Sequence, residues 1–532
     1  MRLSRAAGAA ILVWCIALSE VNAQAHGGPL VSVKTRPERT GYRETSSYAD
    51  VMEFSRHVAE ASPLVHLTSF GYTSEGRSLP LVVVGRVADA SPAAVLASSR
   101  TRLFVQANIH AGEVCGKEAM QMLIRDLANG AHREWLDSLV LLIAPIYNAD
   151  GNERVNLTNR RGQHGPVGGM GQRTNALGLD LNRDHMKVDA PETRSLLGLI
   201  KSYDPHVLVD LHTTNGTEHA YHLTYAPPLN PITHPAITAL LRGRLLPAVS
   251  EGVRRQHGWE FYYYGNLPWR EGSAERGWYT FDHRPRFSNN YVGLRNRIGI
   301  LGEAYSYATF EDRVLAAYRL VEEGANFAHL HASDIEAVIT QADTPPATGE
   351  RLPLRAAMER SADSVDILLG ITVAERNPYS GQIMRRRLDV RTPERMPEYG
   401  TFRPTATERL PLSYLIPSDL TTVLSLLEDH GVEWRALDDE MTLAVERFVI
   451  DSATVADREF QGHREVELHG HYEESEQTVP AGTGVVRLDQ PLARLAFYLL
   501  EPQSDDGVAN WDLLGESLRD GAVYPILRTF RR

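Results

Sequence analysis

Three potential metal ligands stand at two points of the sequence. His110 and Glu113 form a His-x-x-Glu pair, and His212 follows much further along the chain. Two imidazoles and one carboxylate are a common protein ligand set for catalytic zinc, with the fourth position left for water. A His-x-x-Glu pair alone is a weak signal, because matches of this length arise by chance. Whether the pair indicates a metal site therefore depends on the secondary-structure elements that position these residues.

Both histidines follow a short apolar run that predicts a buried strand. Residues 103–109 lead to His110, and residues 206–211 lead to His212. Ligands of open α/β sheets gather at the carboxyl ends of the strands. We therefore expect the two histidines and Glu113 to converge on one zinc ion per chain.

Two further motifs extend this set. The sequence Asp-Leu-Asn-Arg at residues 180–183 stands before His212, and Leu-Gly-Glu at residues 301–303 comes after it. Together with the His-x-x-Glu pair, this order resembles the zinc carboxypeptidase family, the carboxypeptidase A-like metallopeptidases, in a bacterial secreted type. The resemblance covers residues 45–330. It implies a zinc-dependent hydrolase that acts on C-terminal peptide bonds.

The resemblance implies roles for a carboxylate and for a fixed cation in hydrolysis. Glu303 would be the general base that takes a proton from the zinc-activated water and hands it to the leaving amine. An arginine upstream of the Asn-Arg pair would stabilise the negative charge that develops on the carbonyl oxygen. We assign Arg173 to this role, with Arg160 and Arg161 as rivals because gaps in this Gly-rich region allow other alignments.

The resemblance also implies how a substrate is held. Asn182 and Arg183 match the family pair that grips the terminal carboxylate of the substrate. A guanidinium binds a carboxylate with two parallel hydrogen bonds. A tyrosine closes over the substrate in this family, and Tyr291 is our candidate, although it lies closer to Glu303 than in the best-known members. Packing in the core explains Tyr291 equally well.

Length and composition set the broad class. A chain of 532 residues exceeds one hydrophobic core and suggests about two or three domains. Its 43% hydrophobic and 23% charged residues are ordinary for a soluble globular protein. The formal net charge of −12 argues against general nucleic-acid binding. The expected partners are peptide or protein C-termini.

The first residues have the pattern of a targeting segment. Arg2 and Arg5 precede an apolar run at residues 7–18 that is too short to span a membrane comfortably. We predict a signal peptide at residues 1–23, a secreted or periplasmic protein, and no stable membrane insertion after cleavage. Cleavage would leave Cys115 as a single cysteine without an intramolecular disulfide, which fits a bacterial protein.

Composition and periodicity divide the rest of the chain. The predicted segments are a mobile lead-in (residues 24–44), the catalytic domain (45–340), a linker (341–351) and an accessory domain (352–532). We predict that the catalytic domain is a three-layer α/β/α fold with a mixed, mostly parallel sheet. Two adjacent prolines without apolar periodicity indicate the linker. Strand-like runs, among them residues 495–500, predict that the accessory domain is β-rich.

Two alternatives stand beside a secreted zinc metallocarboxypeptidase. A zinc deacylase of N-acyl amino acids, similar to succinylglutamate desuccinylase and aspartoacylase, also has His-x-x-Glu, an arginine and Asp-Leu-Asn-Arg. A catalytically inactive peptide-binding relative is the other, and a missing Glu303 or ligand would favour it, but none is missing. His469 and His471, on one face of a predicted strand, could chelate a metal, but a solvated strand face is the simpler interpretation.

Overall fold

The computed structural model describes residues 32–214, 216–268 and 274–531. The predicted signal peptide lies outside these described residues. Part of the predicted lead-in is described, and it contains a short helix, α1 (Arg36–Thr40). Glu38 of this helix forms an ion pair with Arg125 at 2.7 Å, which joins α1 to the body of the protein. In the described part of the chain, no helix is both long enough and apolar enough to cross a membrane.

A mixed sheet forms the middle of the first part of the chain. The strands are β1 (Val65–Tyr72), β2 (Ser78–Val84), β3 (Thr101–Ala107), β4 (Leu139–Ala144), β5 (Val207–Thr214), β6 (Leu223–Ala226), β7 (Phe261–Tyr263), β8 (Trp278–Tyr279) and β9 (Ile298–Tyr305). Within the described residues, all except β8 form one sheet in the order β1-β2-β4-β3-β5-β9-β6-β7. Strands β4, β3, β5 and β9 run parallel at its centre, flanked by antiparallel pairs.

The remaining helices lie between and after these strands. They are α2 (Tyr48–Ala61), α3 (Pro92–Ala97), α4 (Cys115–Ala128), α5 (Ala149–Glu153), α6 (Pro191–Tyr203), α7 (Pro235–Leu240), α8 (Leu246–His257), α9 (Ser288–Leu294), α10 (Phe310–Leu330), α11 (Ala332–Ala342), α12 (Thr421–His430) and α13 (Ala493–Leu500). Short 3-10 turns cover Arg133–Asp137, Leu181–Arg183 and Gly515–Ser517, and a π-helical turn, Leu241–Leu245, joins α7 to α8.

Alternation of side chains along the central strands explains the layers. In β3, Leu103 and Val105 belong to a hydrophobic core shared with α4 and α10, whereas Phe104 belongs to a core shared with α6 and α9. Successive residues of a strand point to opposite faces of the sheet. Because apolar residues occupy both faces, helices cover both faces. The predicted three-layer α/β/α arrangement with a mixed, mostly parallel sheet is therefore confirmed.

The second part of the chain is rich in strands. They are β10 (Arg351–Glu359), β11 (Ala362–Leu369), β12 (Thr372–Arg376), β13 (Ile383–Arg387), β14 (Thr392–Tyr399), β15 (Thr401–Arg409), β16 (Ser413–Ile416), β17 (Arg435–Ala436), β18 (Met441–Val455), β19 (Val466–Val479), β20 (Gly484–Arg487) and β21 (Leu527–Thr529). The largest sheet among them has the order β17-β20-β16-β21-β18-β19. The prediction of a β-rich C-terminal part is confirmed.

One predicted strand in this part is wrong. Residues 495–500 belong to α13, not to a strand. Every residue of α13 is buried, so no polar face marks it as a helix in the sequence. A short, continuously apolar run fits a buried helix as well as a buried strand.

The two parts of the chain share a sheet and a hydrophobic core. Strand β8 of the first part pairs with β14 of the second. Arg286 is buried against Asp506, with Nε donating to Oδ1 at 2.8 Å. One hydrophobic cluster contains both Leu196 of α6 and Tyr414 of β16. The second part therefore completes the core on one face of the catalytic sheet, and residues 343–350 connect α11 to β10.

Candidate metal centre and substrate cleft

Two strands of the central sheet position the predicted ligands. His110 lies just after β3, where Asn108 adopts a left-handed backbone conformation with φ 68°. Asparagine is among the non-glycine residues that adopt this conformation most readily. The Glu113 N–H donates to the His110 carbonyl at 2.9 Å, which makes a tight turn before α4. His212 lies inside β5, which continues to Thr214, and not at its end as predicted.

The ligand atoms of His110, Glu113 and His212 lie within 4.8 Å of one another, and all three residues are buried. His110 Nδ1 is 3.1 Å from Glu113 Oε1, and His212 Nδ1 is 2.9 Å from Glu113 Oε2. The two Nδ1 atoms are 3.2 Å apart. Zinc binds nitrogen and oxygen ligands at about 2.0–2.2 Å, so one ion can reach all three side chains.

Carboxylates behind the histidines fix which ring nitrogen faces the centre. His110 Nε2 lies 3.1 Å from Asp180 Oδ1, and His212 Nε2 lies 2.8 Å from Asp210 Oδ2. An imidazole that donates from Nε2 keeps the lone pair of Nδ1 for a metal. Burial would raise the pKa of both carboxyls, but the neighbouring imidazoles hold each pKa below its ordinary value. The donor set and its orientation therefore fit zinc.

Glu303 lies on β9 directly beside His212 of β5. Its side chain lines the same cavity as the ligands, and its Oε2 has no hydrogen-bond partner among the described residues. Burial, opposed by His212 and aided by repulsion from Glu113, raises the pKa of Glu303 to about 8. A bound dication would favour the ionised form. The group is thus placed to exchange a proton inside the cavity.

Two of the three candidate arginines reach the cavity. Arg160 donates to Glu113 Oε1 at 2.8 Å and to a backbone carbonyl at 2.6 Å. These two bonds hold its guanidinium against Glu113, one of the candidate metal ligands. Arg173 donates through Nε to Asp180 Oδ2 at 2.8 Å, and its side chain is 42% exposed. Both line the cavity, whereas Arg161 is exposed and does not.

Asn182 and Arg183 follow Asp180 in a 3-10 turn beside the cavity. The Arg183 guanidinium lies 3.8 Å from the centre of the Phe287 ring, and Nη1 donates to the Asn182 carbonyl at 2.7 Å. The Ser288 N–H donates to Asn182 Oδ1 at 2.8 Å. Burial lowers the pKa of Arg183 to about 10, so the group is charged at neutral pH. These contacts hold a cation in place before any ligand arrives.

The cavity that contains these groups has a volume of about 250 Å³. Leu301 of the Leu-Gly-Glu motif lines it, and the lining residues that no sequence motif indicates are Thr213, Thr214, Tyr264, Phe281, Phe287 and Asn289. The Phe281 ring lies 5.4 Å from the Tyr264 ring and 5.3 Å from the Phe287 ring. These aromatic residues come from an irregular segment, so no periodicity marked them in the sequence.

Tyr291 does not line this cavity. It is fully buried in α9, where its hydroxyl lies 2.8 Å from His430 Nδ1 and accepts from Arg295 at 3.1 Å. The interpretation as a core-packing residue therefore describes its position. Tyr264 lines the cavity instead, and Asn266 Nδ2 donates to its hydroxyl at 3.1 Å.

His469 and His471 do not form a further metal centre. Both are exposed on β19 and pair with nearby carboxylates at 3.3 and 3.2 Å. Within the described residues, the group of His110, Glu113 and His212 is the one that brings three metal-binding side chains together.

Comparison with known proteins agrees with this site. Residues 51–228, which include all three ligands, match the family model of the zinc carboxypeptidases. Over these residues the chain is similar to the zinc carboxypeptidases. The enzyme class predicted from the sequence, a zinc-dependent metallocarboxypeptidase, is thereby confirmed at the level of the family.

Relatives extend over both parts of the chain. Carboxypeptidase 2 of Trichophyton tonsurans is 24% identical over 504 residues, which cover 89% of this chain and 85% of that protein. The probable carboxypeptidase 2 of Arthroderma benhamiae is 24% identical over 488 residues, covering 85% of this chain and 83% of that protein.

Solved structures of metallo-carboxypeptidases are also similar. One from Pseudomonas aeruginosa, in complex with (2-guanidinoethylmercapto)succinic acid, is 19% identical with a TM-score of 0.42, covering 55% of this chain and 71% of that chain. One from Burkholderia cenocepacia is 18% identical with a TM-score of 0.41, and the match covers 55% of this chain and 71% of that chain.

Proposed function

We propose that this protein is a secreted zinc metallocarboxypeptidase that removes residues from the C-termini of peptides and proteins. One observation carries the proposal: three kinds of group line the same cavity, namely a metal-binding cluster, a carboxyl that can carry a proton, and a cation fixed in position. These are the His110, Glu113 and His212 cluster, the buried carboxyl of Glu303, and Arg183. Together they supply what hydrolysis of a C-terminal peptide bond requires.

The chemistry is that of a metal-assisted hydrolysis. His110, Glu113 and His212 would hold one zinc ion, which would supply polarisation of the scissile carbonyl and a water with a pKa of about 7. Glu303 takes a proton from the attacking water and returns it to the nitrogen of the leaving residue. Its place on a strand beside His212 keeps its Oε2 inside the cavity.

A cation faces the carbonyl oxygen as negative charge develops on it. We assign Arg173 to this role, because its Nε is held by Asp180 and its partly exposed guanidinium lines the cavity. Such preorganised charge is often the largest single contribution to catalysis. Arg160 is the alternative, but its bonds to Glu113 and the backbone support placing it behind a ligand.

Asn182 and Arg183 bind the terminal carboxylate of the substrate. Arg183 is stacked on Phe287 and partly desolvated, and a charge-assisted hydrogen bond in such a place is worth about 1.5–3 kcal/mol. Because only a chain end carries this carboxylate, cleavage would proceed one residue at a time. Tyr264, which lines the cavity, replaces Tyr291 as the tyrosine assigned to contact the bound residue.

Export is part of the proposal. It rests on the signal-peptide pattern of residues 1–23, which lie outside the described residues. Cys115 is a free, buried cysteine, which agrees with a mature chain that needs no intramolecular disulfide. A periplasmic or extracellular bacterial location stays a prediction.

The test compares one peptide as a free acid and as a C-terminal amide, with the zinc-loaded protein and mass spectrometry as the readout. We expect a ladder of products shortened from the C-terminus of the free acid. The amide should be cut at least about tenfold more slowly, the rate equivalent of the lost ion pair. Equal internal cleavage of both would indicate an endopeptidase. Inactivity on peptides, with release of acid from N-acyl amino acids, would favour the deacylase.

A further inference from the structure

The loop between β18 and β19 reaches from the accessory part of the chain to the metal centre. Phe460 and His463 exchange backbone hydrogen bonds at 2.7 and 3.1 Å, so Gln461 and Gly462 are the central residues of a tight turn. Their φ angles are 52° and 83°. Positive φ at both central residues is typical of a type I′ turn.

Gln461 is an unusual residue for its place in this turn. Asn, Asp and Gly dominate the first central position because they adopt positive φ most readily. A strained residue persists where its surroundings hold it, and such residues cluster at functional sites. The backbone conformation therefore does not explain why a glutamine occupies this position. The explanation lies in the contacts of its side chain.

The Gln461 side chain ends at the backbone of Asp180, the residue whose carboxylate lies behind His110. Its Oε1 accepts the backbone N–H of Asp180 at 2.7 Å. Asp180 is buried, and its two carboxylate oxygens lie 3.1 Å from His110 Nε2 and 2.8 Å from Arg173 Nε. A chain of contacts thus runs from the accessory part to a zinc ligand and to the cation assigned to the carbonyl oxygen.

Two side-chain contacts hold the loop against the first part of the chain. His463 Nε2 lies 2.9 Å from Asp189 Oδ2. Glu465 Oε1 lies 2.8 Å from the buried guanidinium of Arg286. Both residues follow the turn, and before it the Phe460 ring centre lies 5.5 Å from the Arg286 guanidinium. With both sides of the turn in contact with the first part of the chain, the Gln461 oxygen is held at a defined place relative to Asp180.

We propose that Gln461 is a positioning residue for hydrolysis. Its side-chain oxygen fixes the backbone of Asp180 and, through that carboxylate, the orientation of His110 and Arg173. This inference rests on the proposed function, and it gives the accessory part a role inside the active site. The Arg183 N–H donates to the Asp180 carbonyl at 2.9 Å, but its guanidinium is stacked on Phe287, so we expect substrate binding to depend on Gln461 less than catalysis does.

The decisive variant is Gln461→Gly. Glycine adopts positive φ without strain, so the relief of backbone strain offsets part of the stability that is lost with the hydrogen bond, and the Tm should change little. We expect kcat to fall about three- to tenfold, the rate equivalent of one hydrogen bond, and KM to change less than about twofold. The zinc dissociation constant, measured with a chelating dye, should rise at least about threefold.

Two comparisons isolate the route through Asp180. Arg464→Ala alters an exposed residue of the same loop and should leave Tm, kcat and the zinc constant unchanged. In an Asp180→Asn background, Gln461→Gly should add little further loss, because the carboxylate it positions is already gone. A full additional loss in that background would overturn the proposal.

Other outcomes are equally clear. Unchanged kcat and zinc affinity in Gln461→Gly would overturn the proposal, as would a loss that comes with a lower Tm. If the parent protein binds zinc but cleaves no peptide, the proposed function fails. The zinc constants of the parent and of Gln461→Gly would still decide whether Gln461 positions the metal centre.

Discussion

His212 and Glu303 are directly paired neighbours on the parallel strands β5 and β9. Side chains at paired positions of adjacent strands point to the same face of the sheet. The register of these two strands therefore sets the separation between a proposed metal ligand and the proposed proton carrier. A slip by one residue would turn one of the two side chains to the opposite face. The hydrophobic pattern that fixes this register thus also protects the geometry of the site.

The first prediction concerns the metal. The parent protein should bind one zinc ion per chain, as metal analysis will show, and lose activity with a chelator. His212→Ala should weaken zinc binding by more than about a hundredfold, since even loss of an outer hydrogen-bond partner costs 10- to 100-fold. His469→Ala, at an exposed histidine, is the matched control and should bind zinc normally. A parent protein without a stoichiometric transition metal would contradict the whole site.

The second prediction concerns the proton carrier. Glu303→Gln keeps the shape of the side chain but cannot carry a proton, so turnover should fall by on the order of 10² or more. Zinc content and Tm should stay close to those of the parent. Glu218→Gln is the control, because Glu218 accepts from Thr372 at 2.8 Å and does not line the cavity. Near-normal turnover of Glu303→Gln would assign the role to another group.

The sequence predicts those parts of the site that follow directly from a local pattern. Apolar runs before His110 and His212 mark buried parallel strands, and residues at the carboxyl ends of such strands meet at one edge. The order of the motifs then places Glu303 and Arg183 in the same site. Each of these predictions depends on residues close together in the chain or on a simple rule of sheet topology.

The residues that form the walls of the cleft are brought together by tertiary packing, and no local sequence pattern predicts them. Tyr264 and Phe281 come from an irregular segment whose path is set by the strands and loops around it. The position of Tyr291 before Glu303 makes it a candidate for substrate contact and fits core packing equally well, and its helix packs into the core with the hydroxyl turned to His430. Gln461 reaches Asp180 only because the accessory part docks there, which no local signal encodes.

The third prediction concerns the accessory part. A fragment ending at Thr340 should be insoluble or lack a cooperative thermal transition. It loses Asp506, which pairs with Arg286, and Trp511, whose ring lies 4.3 Å from the same guanidinium. It also exposes the core face that α6 shares with the second part.

A nicked protein is the control for this truncation. A protease site inserted between residues 344 and 349, in the connection between α11 and β10, breaks the chain without removing the packed partner. After cleavage the two pieces should co-elute and keep activity. A soluble, active fragment ending at Thr340 would show that the catalytic part folds alone.

The fourth prediction separates two tyrosines. Tyr264→Phe removes the hydroxyl of a residue that lines the cavity and should raise KM about three- to tenfold with little change in Tm. Tyr291→Phe leaves His430 Nδ1 without its partner in the core, so it should lower stability by about 1–3 kcal/mol and leave KM unchanged. Steady-state kinetics and thermal unfolding of both variants provide the comparison. The reverse pattern would restore Tyr291 as the residue that contacts substrate.

The last prediction decides whether the enzyme recognises a chain end. Arg183→Ala removes the cation stacked on Phe287, so a free C-terminal carboxylate loses its partner in the bound state. The free-acid peptide should be cut at least about tenfold more slowly, whereas its C-terminal amide, which carries no such charge, should be cut at nearly the parent rate. The acid-to-amide rate ratio should therefore fall toward one. Arg161→Ala changes an exposed arginine outside the cavity and should keep the parent ratio. If Arg183→Ala also keeps that ratio, the terminal carboxylate is bound elsewhere, and Arg173 becomes the next residue to change.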